Sequence, residues 1–102
     1  MKKIKMLAEQ IEEELNDAEK YATCAAKFAD DDRELSAMYA DLSRQELTHA
    51  DKLHAAAVRY IRQAKDGGAN VPESMQIVWD WEHEKMVSHR ARILALLDMV
   101  NG

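Results

Sequence analysis

Glu46 and His49 stand three residues apart in the run Glu46-Leu47-Thr48-His49. On a helix that spacing puts both on one face, where a carboxylate and an imidazole can grip the same ion. This donor pair suits iron, manganese or zinc, whereas magnesium and calcium prefer oxygen alone. A motif this short occurs by chance in many helices, so its neighbours decide its meaning. The neighbour that matters is Glu14, and whether it can reach the pair depends on the elements that carry all three.

Chain-breaking residues are concentrated. Gly67, Gly68, Asn70 and Pro72 form one cluster, and Asp30-Asp31-Asp32 forms the other break. Asp31 or Asp32 can cap a helix starting near Arg33, with Glu34 favoured in its first turn. Asn70 or Val71 before Pro72 suits the next helix start. The spacing therefore predicts helices over about 3–29, 33–65 and 72–100 within a single domain, 1–102. Lys2, Lys3 and Lys5 oppose the dipole of the first helix, whereas Arg59, Arg62 and Lys65 suit the end of the second.

Apolar residues recur at alternating steps of three and four, the seam pattern of a helical bundle. The first seam is Ile4, Leu7, Ile11, Glu14, Ala18, Tyr21, Ala25 and Phe28. The second is Leu35, Tyr39, Leu42, Glu46, His49, Leu53, Ala56 and Tyr60. The third is Met75, Trp79, Glu82, Met86, His89, Ile93, Leu96 and Val100. Leu15, Leu47, Ile61, Val78 and Leu97 lie beside the seams and widen them. Glu14, Glu46, His49, Glu82 and His89 are titratable intruders on these seams, and an uncompensated buried charge is costly. A short turn near residue 31 makes the first two helices antiparallel, which sets Glu14 level with Glu46 and His49. That coincidence of face and level turns a weak motif into a candidate metal site. Polar seam residues can instead fix register or oligomer state, or a Glu–His pair can satisfy itself by hydrogen bonding.

Composition narrows the alternatives. A chain that is 47% hydrophobic and 32% charged is too apolar for disorder and too charged for a membrane protein. A net charge of −5 argues against nucleic-acid binding, which runs on a basic surface. The early acidic run Glu12-Glu13-Glu14 is unlike a secretory signal, and Cys24, the sole cysteine, cannot form a disulfide within the chain; the expectation is a cytoplasmic protein. No glycine-rich phosphate cradle and no nucleophile with an oriented base is visible.

Glu14, Tyr21 seven residues on, and Glu46-x-x-His49 after a short turn together resemble the first helical hairpin of the ferritin-like di-iron proteins. The likeness covers residues 8–62 and is nearest to rubrerythrin-type and encapsulated-ferritin hairpins. It implies that Glu14, Glu46 and His49 are metal ligands and the catalytic set, that Glu46 bridges two ions, and that Tyr21 lies beside the site. An ordinary core tyrosine is the plain alternative for Tyr21. The pattern then departs from the family. Helix 3 has no second Glu-x-x-His: Met86 stands three before His89, and Lys85 three after Glu82. Asp80-Trp81-Glu82-His83 offers only Asp-x-x-His, and the cysteine-pair domain of rubrerythrins is missing. One chain thus supplies half a site, and two chains would supply four glutamates and two histidines. The resemblance implies an all-α, three-helix ferritin-like bundle that dimerises, or forms a higher homo-oligomer, around two irons per dimer. Manganese or zinc are the alternative metals. No tail resembles an encapsulin-targeting peptide, so an encapsulating partner is left unassigned.

The remaining candidates lie on helix 3. His89 is level with His49 and is a candidate extra ligand or donor beside the site, against the plainer reading of a packed histidine. His54 is level with His83 and Glu84, a candidate second cluster off the main seam. Lys85 is the nearest partner for Glu82; Trp79 reads as core and Trp81 as a subunit contact. Cys24 reads as a buried bystander. The expected function is Fe(II) oxidation at a shared site. The rival is a non-enzymatic helical interaction protein, such as a phage or mobile-element accessory, with a structural metal or none. Peroxide reduction, a third option, lacks an electron donor.

Overall fold

The computed structural model describes residues 2–67 and 73–101. They form three helices, α1 (Lys2–Phe28), α2 (Arg33–Asp66) and α3 (Glu73–Asn101), with no strand among the described residues. The helices fall within two residues of the predicted bounds. The expected start at Asn70, Val71 and Pro72, and the side chain of the predicted seam residue Met75, lie outside the described residues.

The α1–α2 turn is closed by local chemistry. Asp32 caps α2: its carboxylate accepts from the Leu35 N–H at 3.1 Å, in an extended backbone conformation, and Glu34 follows in the first turn. The Asp32 N–H donates back to the Phe28 carbonyl at 2.9 Å. At the far end of α2 the Gly67 N–H donates to the Gln63 carbonyl at 2.9 Å.

α1 and α2 pack through their small residues. Ala18, Ala22 and Ala25 are fully buried on α1, facing Ser36, Ala40 and Ser43 on α2. The hydroxyl of Ser36 donates to the Ala25 carbonyl at 2.6 Å, and that of Ser43 to the Ala18 carbonyl at 2.7 Å. Helices approach this closely only where side chains are short. Here the structure differs from the seam read in the sequence. The buried face of α2 lies one residue further on: Ser36, Ala40, Ser43, Leu47, Ala50, Ala57 and Ile61. The predicted seam residues Leu35, Tyr39, Leu42, Leu53 and Tyr60 are only half-buried, and His49 is exposed. They border the core and open to one side. On α1, Glu14, Tyr21 and Phe28 turn to that same open side.

α3 covers the opposite side of the hairpin. Met86, Ile93 and Leu97 join the core formed by Ile11 and Leu15, and the backbone of α3 packs more closely on α1 than on α2, which it meets through longer side chains. Trp79 packs at the edge of the core as expected, and Trp81 is exposed. Cys24 is half-buried rather than enclosed. No described helix is long and apolar enough to cross a membrane.

Candidate metal centre

The small-residue hairpin sets Glu14 of α1 against Glu46 and His49 of α2. One donor atom from each lies within 4.8 Å of the other two. Nδ1 of His49 is 3.6 Å from Oε2 of Glu14 and 3.7 Å from Oε2 of Glu46. Two donors held about 2.0–2.2 Å from one ion are roughly 3–4 Å apart, so these gaps match a shared cation better than direct hydrogen bonds.

Burial is graded across the cluster. The Glu14 and Glu46 side chains are 28% and 22% exposed, whereas that of His49 is 53% exposed. The carboxylates therefore form the floor and the imidazole the open rim. Oε2 of Glu14 is buried without a hydrogen-bond partner. An anionic oxygen left in that state is costly, and a cation would relieve it. Glu46 titrates above its ordinary value. The causes, in order, are a proton it can share with Glu14, its burial and the Glu14 charge; His49 works the other way, and Asp17 adds a small push upward. Two carboxylates that resist being ionised together are the electrostatic signature of a site that wants positive charge. The donor set of two carboxylates and one imidazole fits iron, manganese or zinc.

The other predicted residues fall elsewhere. Tyr21 stacks on Tyr39 with ring centres 6.2 Å apart, and Tyr39 stacks on Phe28 at the same separation. This aromatic ladder begins at Tyr21, two helical turns along α1 from Glu14 toward the α1–α2 turn. His89, the candidate extra ligand, stands on the α3 side of α1, with Nε2 3.3 Å from Oε2 of Glu19. It does not join the cluster. The packing of α3 against the flank of α1 that carries Glu19 explains this, because Glu14 turns to the other flank. Lys85 pairs with Glu82 at 3.2 Å and sits over the Trp81 ring. His54 and His83 stack across α2 and α3 with centres 5.0 Å apart.

Sequence reasoning did not find the two serine hydroxyls that close the hairpin, nor the ion pair of Arg90 with Asp51, which joins α3 to α2 through two 3.0 Å hydrogen bonds. Polar residues at the first and third positions of the small-residue stripe Ser36, Ala40 and Ser43 were the available signal for the serines. Comparison with protein-family models, with curated proteins and with solved structures gives no match to this chain.

Proposed function

We propose that this chain is a ferritin-like Fe(II)-oxidising protein whose site is completed by a second copy of itself. The observation that carries this reading is the convergence of Glu14, Glu46 and His49 around an unpartnered Glu14 oxygen, on the side of the hairpin that α3 leaves open. Two carboxylates and one imidazole are half of a di-iron ligand set; a two-fold axis doubles them to four and two. The half-buried Leu35, Tyr39, Leu42, Leu53 and Tyr60 run along the same open side and supply an apolar surround for such a contact. The molecule measures 56 × 18 Å along its longer axes, so one broad face spans about 1,000 Å². A stable interface needs about 800 Å² a side.

Fe(II) enters this reading as substrate. Each of two Fe(II) ions gives up one electron, and dioxygen takes both and leaves with two protons as hydrogen peroxide. The carboxylates of Glu14 and Glu46 favour the more highly charged oxidised ion, and the proton they share is released as a cation arrives. His49 binds as the neutral imidazole through a ring nitrogen and, being exposed, stands where ions enter. Manganese or zinc would suit the same donors. The observation that favours the rival reading, a structural metal or none on a helical scaffold, is that both carboxylates already face the His49 ring.

Anaerobic Fe(II) titration followed by air tests the proposal. Saturation at one iron per chain, with fast oxidation seen in the near-ultraviolet, is expected. Glu46→Ala and His49→Ala should abolish uptake, and Glu12→Ala on the solvent face should not. Binding without oxidation would favour the structural-metal reading. Retention of two irons per dimer by His49→Ala would refute the ligand set.

A further inference from the structure

The opposite side of the hairpin carries a second group of donors of different chemistry. A cavity of about 200 Å³ lies where the three helices meet, floored by Ile11, Leu15 and Ala50 and edged by His54, His83 and Met86. His83 and Met86 are three residues apart on α3, so they share a face; His54 faces them from α2. We propose that His54, His83 and Met86 form a soft-metal site that takes copper(I).

Geometry supports a shared ion. The His54 and His83 ring centres are 5.0 Å apart. Two imidazoles each placing a nitrogen about 2.1 Å from one ion at tetrahedral angles have centres roughly 5 Å apart. Met86 is 7% exposed and lines the same cavity.

Charge selects the ion. The one carboxylate on the cavity edge, Asp51, is neutralised by Arg90 through two 3.0 Å hydrogen bonds. The donors left are two imidazoles and one thioether, none of which brings a negative charge. A monovalent ion is cheaper to hold in such surroundings than a divalent one, and a thioether with imidazoles prefers copper(I) to iron or manganese. The acidic Glu14, Glu46 and His49 cluster has the reverse preference. One short chain thus presents a hard and a soft donor set on opposite sides of one hairpin.

The test is anaerobic copper(I) titration against a chromogenic copper(I) chelator. It uses the full chain carrying Cys24→Ala, which removes the one competing thiol. One copper(I) per chain is expected. His54→Ala and His83→Ala should each weaken it by more than about 100-fold, since losing a group that only orients a ligand already costs about 10–100-fold. Met86→Leu, similar in volume, should weaken copper(I) by about tenfold or more. Glu46→Ala should leave it unchanged. X-ray absorption of the copper(I)-loaded Cys24→Ala protein should show nitrogen and one sulfur around the metal, a readout that needs no histidine variant to fold. The proposal is overturned if no copper(I) binds, if the histidine variants bind normally, if Glu46→Ala loses the copper, or if only nitrogen and oxygen surround it.

Discussion

Oε2 of Glu14 lies 3.6 Å from Nδ1 of His49, and no hydrogen bond reaches that oxygen. Glu46 approaches the same nitrogen at 3.7 Å. The hairpin therefore holds two carboxylates together on a site where Glu14 makes Glu46 harder to ionise. That arrangement costs stability unless a cation joins it.

The first prediction follows from the sign of that cost. The folded chain holds the Glu46 proton more tightly than the unfolded chain, whose carboxyl titrates near 4.5. Stability from this group is present below that value and is lost as pH rises through the raised folded value. In the presence of a chelator, Glu46→Gln should remove this slope and raise stability at neutral pH by up to about 1 kcal/mol, the range for partly exposed charges. Urea denaturation at pH 4.5 and pH 7 would measure it. The same variant should lose the stabilisation expected of wild type with Fe(II) or Zn(II), about 2.7 kcal/mol at 100 times Kd and read as a rise in Tm. A Glu46→Gln protein less stable than wild type at both pH values would mean the carboxylates are not in conflict.

A second pH effect of opposite sign belongs to His54. Burial and then His83 lower its pKa below 6.5, while Asp51 raises it slightly. The unfolded chain binds the proton more readily, so this group's stability is full above pH 6.5 and falls as pH drops through the folded value. Wild type should lose stability as pH falls below 6.5, and His54→Phe, which keeps a ring against Trp79 and His83, should flatten that part of the curve. Thermal melts across the window would show it, and an unchanged slope in His54→Phe would assign the effect to another group.

Much of this was legible in the residues. Asp32 and the Gly67 break mark the helix ends because caps and glycines act locally. Glu14, Glu46 and His49 come together because face and level follow from helix geometry and one short turn. The buried face of α2 was not legible from apolar spacing. Hydropathy weighs Leu35, Tyr39 and Leu42 above Ser36, Ala40 and Ser43, yet the tight α1–α2 contact needs short side chains and tolerates hydroxyls that can bond to a carbonyl. The flank of α1 chosen by α3 was not legible either, since α3 has apolar residues on several sides, including exposed Ile77, Val78 and Val87.

The small-residue contact has its own test. Ala22 is fully buried, so Ala22→Leu inserts volume where the backbones meet and should cost about 1–3 kcal/mol. Ala26→Leu on the exposed side of the same helix should stay within about 0.5 kcal/mol. Ser43→Ala removes the hydroxyl that reaches the Ala18 carbonyl and should cost about 1 kcal/mol. Denaturant midpoints would rank the three, and equal effects of Ala22→Leu and Ala26→Leu would contradict the packing described above.

The last prediction separates the two apolar faces left open by one chain. Leu42 is half-buried on the face that carries the acidic cluster, whereas Ile77 is 61% exposed on the outer face of α3. If two copies meet at the cluster, Leu42→Glu puts a charge at the centre of their contact, where an unpaired ion is strongly unfavourable. The variant should sediment as a monomer at concentrations where wild type is a dimer. Its helix content should persist, because the α1–α2 core does not use Leu42. It should also lose Fe(II) oxidation although Glu14, Glu46 and His49 are intact, since half a ligand set remains. Ile77→Glu should leave both the dimer and oxidation unchanged. The reverse pattern, loss of dimer and oxidation in Ile77→Glu alone, would place the subunit contact on α3 and make the active site depend on that contact.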